Sequence, residues 1–211
     1  MGLTAASPEQ NRVTPLGEIV AARLRGAWMG NRGILHEGTA ITRFHASKLW
    51  IICALAYRQQ QVKQWAPGHY TVLFFHDEAV ALAAGHRPCA LCRRPAYDGY
   101  RGALVAAGVA DAPPAAPELD HRLHAERLFA FTHRRRLHEA SWTDLPMGAF
   151  VLADDGPALL IDGAVLPWTT AGYGPPRARP SAGPVSVITP PTSIAALRAG
   201  YPVQIDPTAL A

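Results

Sequence analysis

Two cysteines, Cys89 and Cys92, stand three positions apart in the segment GHRPCALCRR. Two thiolates at this spacing on a tight turn can bind one metal ion, as they do in zinc knuckles. The same spacing also occurs in redox pairs, but those normally open a helix directly after a strand. Here a helical stretch, a glycine and an Arg-Pro dipeptide precede the pair. The pattern therefore favours a metal site over a redox pair or two ordinary half-buried cysteines.

A zinc site needs four donors if it is structural, or three donors and an open position if it is catalytic. Cys53 is the only other cysteine and supplies a third sulfur. We predict that Cys53, Cys89, Cys92 and His124 bind zinc, with His124 drawn from nine histidines. The sequence leaves the fourth ligand open. The other candidates near the cysteines or near glycine-rich turns are His36, His69, His76 and His86.

Residues 69–94 (HYTVLFFHDEAVALAAGHRPCALCRR) resemble the second half of the zinc module of the Ada DNA-repair family. The resemblance covers 26 of the 211 residues. It implies zinc bound by cysteines, methyl transfer to one of them, and DNA binding through basic residues near the metal. The family has an upstream Cys-x-x-x-Cys pair, whereas this chain has Cys53 alone, followed four residues later by Tyr57. Elsewhere, the segments MGNRGILH and LHAER resemble a bacterial protein family, which implies no particular activity.

Basic residues are concentrated in the first two thirds of the chain. Residues 1–140 carry 17 basic and 11 acidic side chains, whereas residues 141–211 carry three and five. A polyanion should therefore meet the first region. We predict a zinc protein that associates with DNA or RNA. Its predicted phosphate contacts are Arg87, Arg93, Arg94, Arg134, Arg135 and Arg136.

A second cluster of chemistry lies in the segment ELDHRLHAER. Asp120 and His124 are four residues apart and would share one helix face. The carboxylate could bind a metal with the imidazole or orient it, or the segment could be a solvated charged face. The alternative function is a zinc metalloenzyme acting on a small molecule, with His36, Asp120 and Glu126 as acid–base residues. A structural zinc protein acting as an interaction module is a third possibility.

These side chains must be positioned by a mixed set of elements. The patterns predict a helix that begins at Thr14-Pro15 and includes 16–24, because proline suits the first helical position. They also predict strands over 49–57, 69–75 and 185–189, and helices over 78–84, 96–107, 118–133 and 193–199. Three short strands at 149–152, 158–161 and 164–168 predict a β-meander. We predict an α+β fold with a zinc-knuckle-centred region, 1–140, and a β-rich, Pro-rich part, 141–211, packed on it as a second unit or within one domain.

Composition excludes several classes of protein. With 49% apolar and 17% charged residues the chain can bury a core. Its longest apolar runs fall far short of the roughly 20 residues that span a bilayer, and we expect no membrane association. Three cysteines do not suggest a disulfide framework. Since the first residues contain no apolar signal segment, we expect a cytoplasmic protein.

Overall fold

A computed structural model describes residues 7–58 and 63–210, and it shows a mixed α+β fold. The first part of the chain forms short strands and three helices: β1 (Gln10–Val13), β2 (Ile19–Ala21), β3 (Trp28–Asn31), β4 (His36–Glu37), β5 (Ala40–Ile41), β6 (Ile51–Cys53), β7 (Leu73–Phe75), α1 (Glu78–Ala83), β8 (Arg87–Pro88), α2 (Arg94–Ala106) and α3 (Ala116–Arg127).

The rest of the chain is rich in strands, as its turn pattern predicts. Its elements are β9 (His138–Ser141), β10 (Phe150–Ala153), β11 (Gly156–Ile161), β12 (Ala164–Thr169), β13 (Gly172–Tyr173), β14 (Arg177–Ala178), β15 (Pro184–Val187) and α4 (Pro191–Arg198). The predicted meander is confirmed as β10, β11 and β12, which pair in sequence order in antiparallel fashion.

The strands form two larger sheets and one hairpin. The first sheet has the order β2-β1-β7-β3-β6-β8, and the second has the order β13-β12-β11-β10-β15-β9 with β14 beside β12. β4 and β5 pair with each other. In the first sheet β6 and β8 run parallel, with Ile51 opposite Arg87 and Ile52 opposite Pro88. The candidate functional side chains lie at the two ends of this parallel pair of strands.

The predicted helix over 16–24 is wrong. β1 and β2 form an antiparallel hairpin there, with Val13 opposite Ile19. Pro15 does not begin a helix but occupies the second position of a turn, closed by the Gly17 N–H donating to the Thr14 carbonyl at 2.8 Å. Proline fits both positions because each requires the same φ. Strand pairing across the turn, which local spacing does not reveal, decides between them.

The predicted helix over 118–133 is too long at its C-terminal end. α3 ends at Arg127, and Leu128 adopts an extended conformation. Leu128 then pairs with Arg135, and the Arg136 N–H donates to the Arg127 carbonyl at 3.0 Å. Residues 128–135 therefore form a tight hairpin, named here the 128–135 hairpin.

One continuous apolar core extends across both parts of the chain. α2 packs against α4, where the Tyr100 hydroxyl lies 2.9 Å from the Ser193 hydroxyl. β9 spans the predicted boundary at residue 140. The β-rich part thus packs on the first part without a break in the core.

Within 7–58 and 63–210, none of the helices combines the length and apolar character that a membrane crossing requires.

Candidate functional site

The parallel pair of β6 and β8 brings the three cysteines together. Cys53 is the last residue of β6, and Cys89 directly follows β8, where its N–H donates to the Ile52 carbonyl at 2.9 Å. The turn after Cys89, closed by the Arg93 N–H donating to the Cys89 carbonyl, returns Cys92 to the same place. The three sulfur atoms all lie within 4.8 Å of one another. The prediction that these three cysteines lie close together is therefore confirmed.

The surroundings of this thiol cluster (Cys53, Cys89 and Cys92) favour negative charge on one sulfur, that of Cys89. The Leu91 N–H donates to Cys89 Sγ and the Ala54 N–H donates to Cys92 Sγ, each at 3.4 Å. A hydrogen bond from the Cys53 thiol lowers the pKa of Cys89 to about 5, and the same bond raises the pKa of Cys53. Burial raises the pKa of Cys92. The Cys89 thiolate thus accepts a hydrogen bond from the Cys53 thiol, and a metal ion bound by both sulfurs would replace that proton.

All three cysteines line a cleft of about 220 Å³. Its other walls are mainly apolar, with Met29, Leu55 and Leu91, and they include the side chains of Tyr57 and Tyr70. A larger open cleft of about 420 Å³ next to the second sheet has neither cysteine nor histidine in its lining. The smaller cleft is therefore the one associated with reactive side chains.

The structure does not bring His124 to the thiol cluster. The one group of three or more metal-ligating side chains found among the described residues consists of the three cysteines alone. His124 Nδ1 instead accepts a hydrogen bond from Arg127 Nη2 at 3.2 Å, and its ring lies 5.2 Å from that of His45. The predicted fourth ligand thus lies in a different cluster.

The predicted acid–base residues are also engaged elsewhere. Asp120 accepts two hydrogen bonds of 2.9 Å from the buried Arg87 guanidinium and does not orient His124. Glu126 accepts from the Thr192 N–H and hydroxyl at 3.0 and 2.6 Å, near the start of α4. His36 is buried and shares a 2.6 Å hydrogen bond with the Thr71 hydroxyl. None of the three lines the cleft at the thiol cluster.

The predicted phosphate contacts divide into buried and exposed side chains. Arg87 pairs with Asp120, and Arg93 forms a buried ion pair with Glu78 at 2.8 Å while lying 3.7 Å from the Trp28 ring centre. Arg135 donates to the carbonyls of Ala83, Ala84 and Ile188. These three guanidinium groups hold the fold together and are not presented to a polyanion. Arg94, Arg134 and Arg136 are exposed.

Sequence reasoning missed a basic cluster at the other end of β6 and β8. Its members surround Trp50, which directly precedes β6, and they are Arg32, Arg127, His45, His86, His124 and His133, with Lys48 at the edge. The Arg32 and Arg127 guanidinium carbons each lie 3.9 Å from the Trp50 ring centre. The His45 ring lies 5.2 Å from that of His124 and 5.5 Å from that of His133. Because these residues come from distant segments, no local motif signals the cluster.

Burial and neighbouring positive charges keep imidazoles of this cluster neutral. The pKa of His124 is lowered to about 4, first by burial and then by Arg127, His45 and Lys48. Burial, His133 and Arg127 lower the pKa of His45, and burial together with Arg32 lowers that of His86. The guanidinium groups of the cluster thus supply positive potential that lowers the pKa of these three imidazoles.

Comparison with protein-family models, with curated proteins and with solved structures gives no match for this chain. The thiol cluster, the cleft and the basic cluster are therefore the features of this protein that point to a function.

Proposed function

We propose that the thiol cluster binds one zinc ion whose fourth coordination position opens into the cleft, and that the protein binds and activates a small thiol there. The observation that carries this proposal is that all three sulfurs line the same cleft. A three-ligand set beside a cavity is typical of catalytic zinc sites, whereas structural sites are closed by four protein ligands.

The donor set supports zinc. Three sulfurs within 4.8 Å of one another are compatible with one ion at Zn–S distances of about 2.3 Å. Thiolates select soft or borderline metals over magnesium or calcium. The N–H groups of Leu91 and Ala54 orient two of the sulfurs in the absence of metal. The resemblance of 69–94 to the Ada zinc module also supports zinc.

The cleft supports a ligand with a soft donor atom and an apolar body. Met29, Leu55 and Leu91 would contact the apolar part, and a sulfur atom would complete the coordination. Burial is the main cause that raises the pKa of Tyr70, so its hydroxyl stays protonated and can act as a hydrogen-bond donor. Zinc bound in the cleft would supply a Lewis acid strong enough to deprotonate a coordinating thiol. This role needs no separate general base, and none of the three predicted acid–base residues lines the cleft.

The sequence predicts, as the alternative to nucleic-acid association, a zinc metalloenzyme acting on a small molecule; the small-thiol proposal is one form of it, with different residues near the metal. The cleft-lining Tyr57 and Tyr70 replace His36, Asp120 and Glu126 as the polar groups near the metal. Methyl transfer to a cysteine, which the Ada resemblance implies, would use the same thiolates. The small-thiol proposal is preferred because the side chains that line the cleft beside the cysteines are mainly apolar.

Metal analysis and cobalt substitution test the proposal. The purified protein should contain one zinc ion per chain, and Cys53→Ser and Cys92→Ser should each reduce its content strongly, whereas His124→Ala should retain it. With Co²⁺ in place of zinc, benzyl mercaptan should intensify the sulfur-to-metal charge-transfer absorption, because a fourth sulfur joins the ion. Retention of zinc in both cysteine variants would overturn the metal site.

A matched pair of variants tests the cleft. Leu91→Asp places a charge in the apolar wall and should abolish the benzyl mercaptan response while the metal content stays unchanged. Leu210→Asp, at an exposed apolar residue in the larger cleft, should leave the response intact. A cobalt spectrum that does not respond to the thiol in the wild-type protein would show a closed site and would contradict the proposal.

A further inference from the structure

The 128–135 hairpin presents an aromatic side chain to solvent. Its backbone turns back through the Phe129 N–H donating to the Arg134 carbonyl at 3.1 Å. Phe131 near the tip is fully exposed, and Phe129 is 41% exposed. Among the described residues, Phe131 has the largest exposed fraction of any large apolar side chain. An aromatic ring held in this way contributes nothing to the core and is available to stack on a ligand.

Cations flank the ring of the neighbouring Phe129. Arg134 and Arg136 are exposed, and their guanidinium carbons lie 5.4 and 4.9 Å from the Phe129 ring centre. Within the described ranges neither forms an ion pair with a carboxylate. The His133 ring lies 5.6 Å from that of Phe44 and 5.5 Å from that of His45. The hairpin is thus continuous with the basic cluster.

Among the described residues, the buried guanidinium groups of the basic cluster have no carboxylate in contact. Arg32 and Arg127 are fully buried, yet no carboxylate oxygen of 7–58 or 63–210 lies within 4 Å of either guanidinium. Arg32 Nη1 donates to the Gly17 carbonyl and Nε to His86, while Nη2 has no partner there. By contrast, the buried Arg87 and Arg93 each pair with an acid. Because buried charge is costly unless it is paired, the cluster lacks an anion.

We propose that the 128–135 hairpin and the basic cluster form a binding surface for single-stranded nucleic acid. Phosphate groups would contact Lys48, Arg134 and Arg136, over the positive potential of the buried guanidinium groups. An unpaired base would stack on Phe131. A cationic surface combined with exposed aromatic rings is how proteins bind single strands without reading their sequence.

A single strand fits this surface better than two other anionic partners. In a duplex the bases are already stacked, so a projecting ring such as Phe131 finds no free base face. A membrane surface is usually bound by an amphipathic helix with a broad apolar face, whereas here a single exposed ring projects from a short hairpin whose Arg134, like the adjacent Arg136, is exposed. The surface is at the opposite end of β6 and β8 from the thiol cluster, so this proposal does not depend on the small-thiol proposal.

Fluorescence anisotropy with a labelled single-stranded oligonucleotide of about ten nucleotides tests the proposal on the full chain. Binding should weaken as salt rises, and Arg134→Ala/Arg136→Ala should make the log–log salt slope shallower by about 1.4, or about 0.7 per lost phosphate contact. Phe131→Ala should weaken binding about tenfold with the slope unchanged. Because these three side chains are exposed, the variants should fold normally.

Two control variants change similar side chains elsewhere. Arg177→Ala removes an exposed guanidinium on β14, and Leu210→Ala removes an exposed apolar side chain. Both should bind the oligonucleotide as the wild type does. Cys92→Ser should also bind it normally, even if its zinc is lost, which separates failure of this proposal from failure of the metal site.

Competition identifies the recognised chemistry. AMP should displace the oligonucleotide at lower concentration than inorganic phosphate does, and Phe131→Ala should remove that advantage. The absence of binding at low salt, an equal affinity for duplex of the same sequence, or unchanged binding by Phe131→Ala would each overturn the proposal. Tighter binding to vesicles of anionic phospholipid than to the oligonucleotide would overturn it as well.

Discussion

The two ends of the β6–β8 pair hold opposite chemistry. Trp50 and His86 precede these strands and carry the basic cluster, whereas Cys53 and Cys89 end or follow them and carry the thiol cluster. Three residues separate Trp50 from Cys53, or about 10 Å along a strand. The three cysteines at one end can bind a cation as thiolates, and the buried guanidinium groups at the other end have no carboxylate within 4 Å among the described residues. Under the two proposals, each end binds a ligand whose charge is opposite to that of its own side chains.

In the middle of the β6–β8 pair, the buried charge already has a partner within the protein. Arg87, in β8, is buried between the two clusters and is bound by both oxygens of Asp120. Burial of an arginine is therefore not by itself a sign of function. What marks the basic cluster is burial of guanidinium groups without a carboxylate.

The largest expected effect on stability comes from breaking the Arg87–Asp120 ion pair. Asp120→Ala leaves the Arg87 guanidinium buried and unpaired, so the free energy of unfolding should fall by about 3–5 kcal/mol. Urea denaturation followed by circular dichroism measures it. Asp98→Ala, which breaks the solvent-accessible pairs with Arg94 and Arg101, should cost no more than about 1 kcal/mol. Equal effects of the two substitutions would remove the distinction between a completed pair and a surface pair.

Metal binding should have the next largest effect, at the thiol end. Zinc at a hundred times its Kd should raise the free energy of unfolding by about 2.7 kcal/mol, because the ion binds the assembled cysteines of the folded state. Thermal unfolding with and without chelator measures this increment. Cys92→Ser should lose it and His124→Ala should keep it. An increment that disappears in His124→Ala would place the fourth ligand at the basic end.

Anion binding should have a smaller effect, at the basic end. Inorganic phosphate at ten times its Kd should raise the free energy of unfolding by about 1.4 kcal/mol relative to chloride at equal ionic strength. Lys48→Ala should reduce this increment, and Cys92→Ser should leave it unchanged. If phosphate stabilises both variants as it does the wild type, the effect does not arise at the basic cluster.

Titration of His124 should have the smallest effect on the free energy of unfolding. Because the pKa of His124 is lowered from 6.5 to about 4 in the folded protein, the unfolded chain binds a proton first as pH falls. Stability contributed by the neutral imidazole is therefore present above pH 6.5 and is lost as pH falls towards 4. Comparison of His124→Gln with the wild type across this window should show a weaker pH dependence in the variant. The exposed His69→Gln serves as control, and an identical pH profile for wild type and His124→Gln would contradict the expectation.

Sequence patterns were sufficient where the signal is local. The helices near 78–84, 96–107 and 193–199 are found close to their predicted bounds, because a glycine follows each of them and a capping residue begins the first. The side chain of Asp77 accepts from the Val80 N–H at 2.8 Å as an N-cap. The Cys-x-x-Cys spacing likewise identified the turn of the thiol cluster. Pro15 misled the prediction because a helix start and a turn require the same φ, and Leu128 did so because apolar spacing continues past the end of α3.

The sequence by itself determined the α+β class, the β-meander and the residue types able to hold a soft metal. Only the tertiary structure decided which residues meet. Parallel pairing of two short strands brings Cys53 beside Cys89, and it places His124 with His45 and Arg127 instead of with sulfur. The same packing buries Arg87 and Arg93 against acids while leaving Arg32 and Arg127 without them. Net charge counts all these arginines equally, but the energy of a charge depends on burial and on its partner, and both are properties of the folded chain.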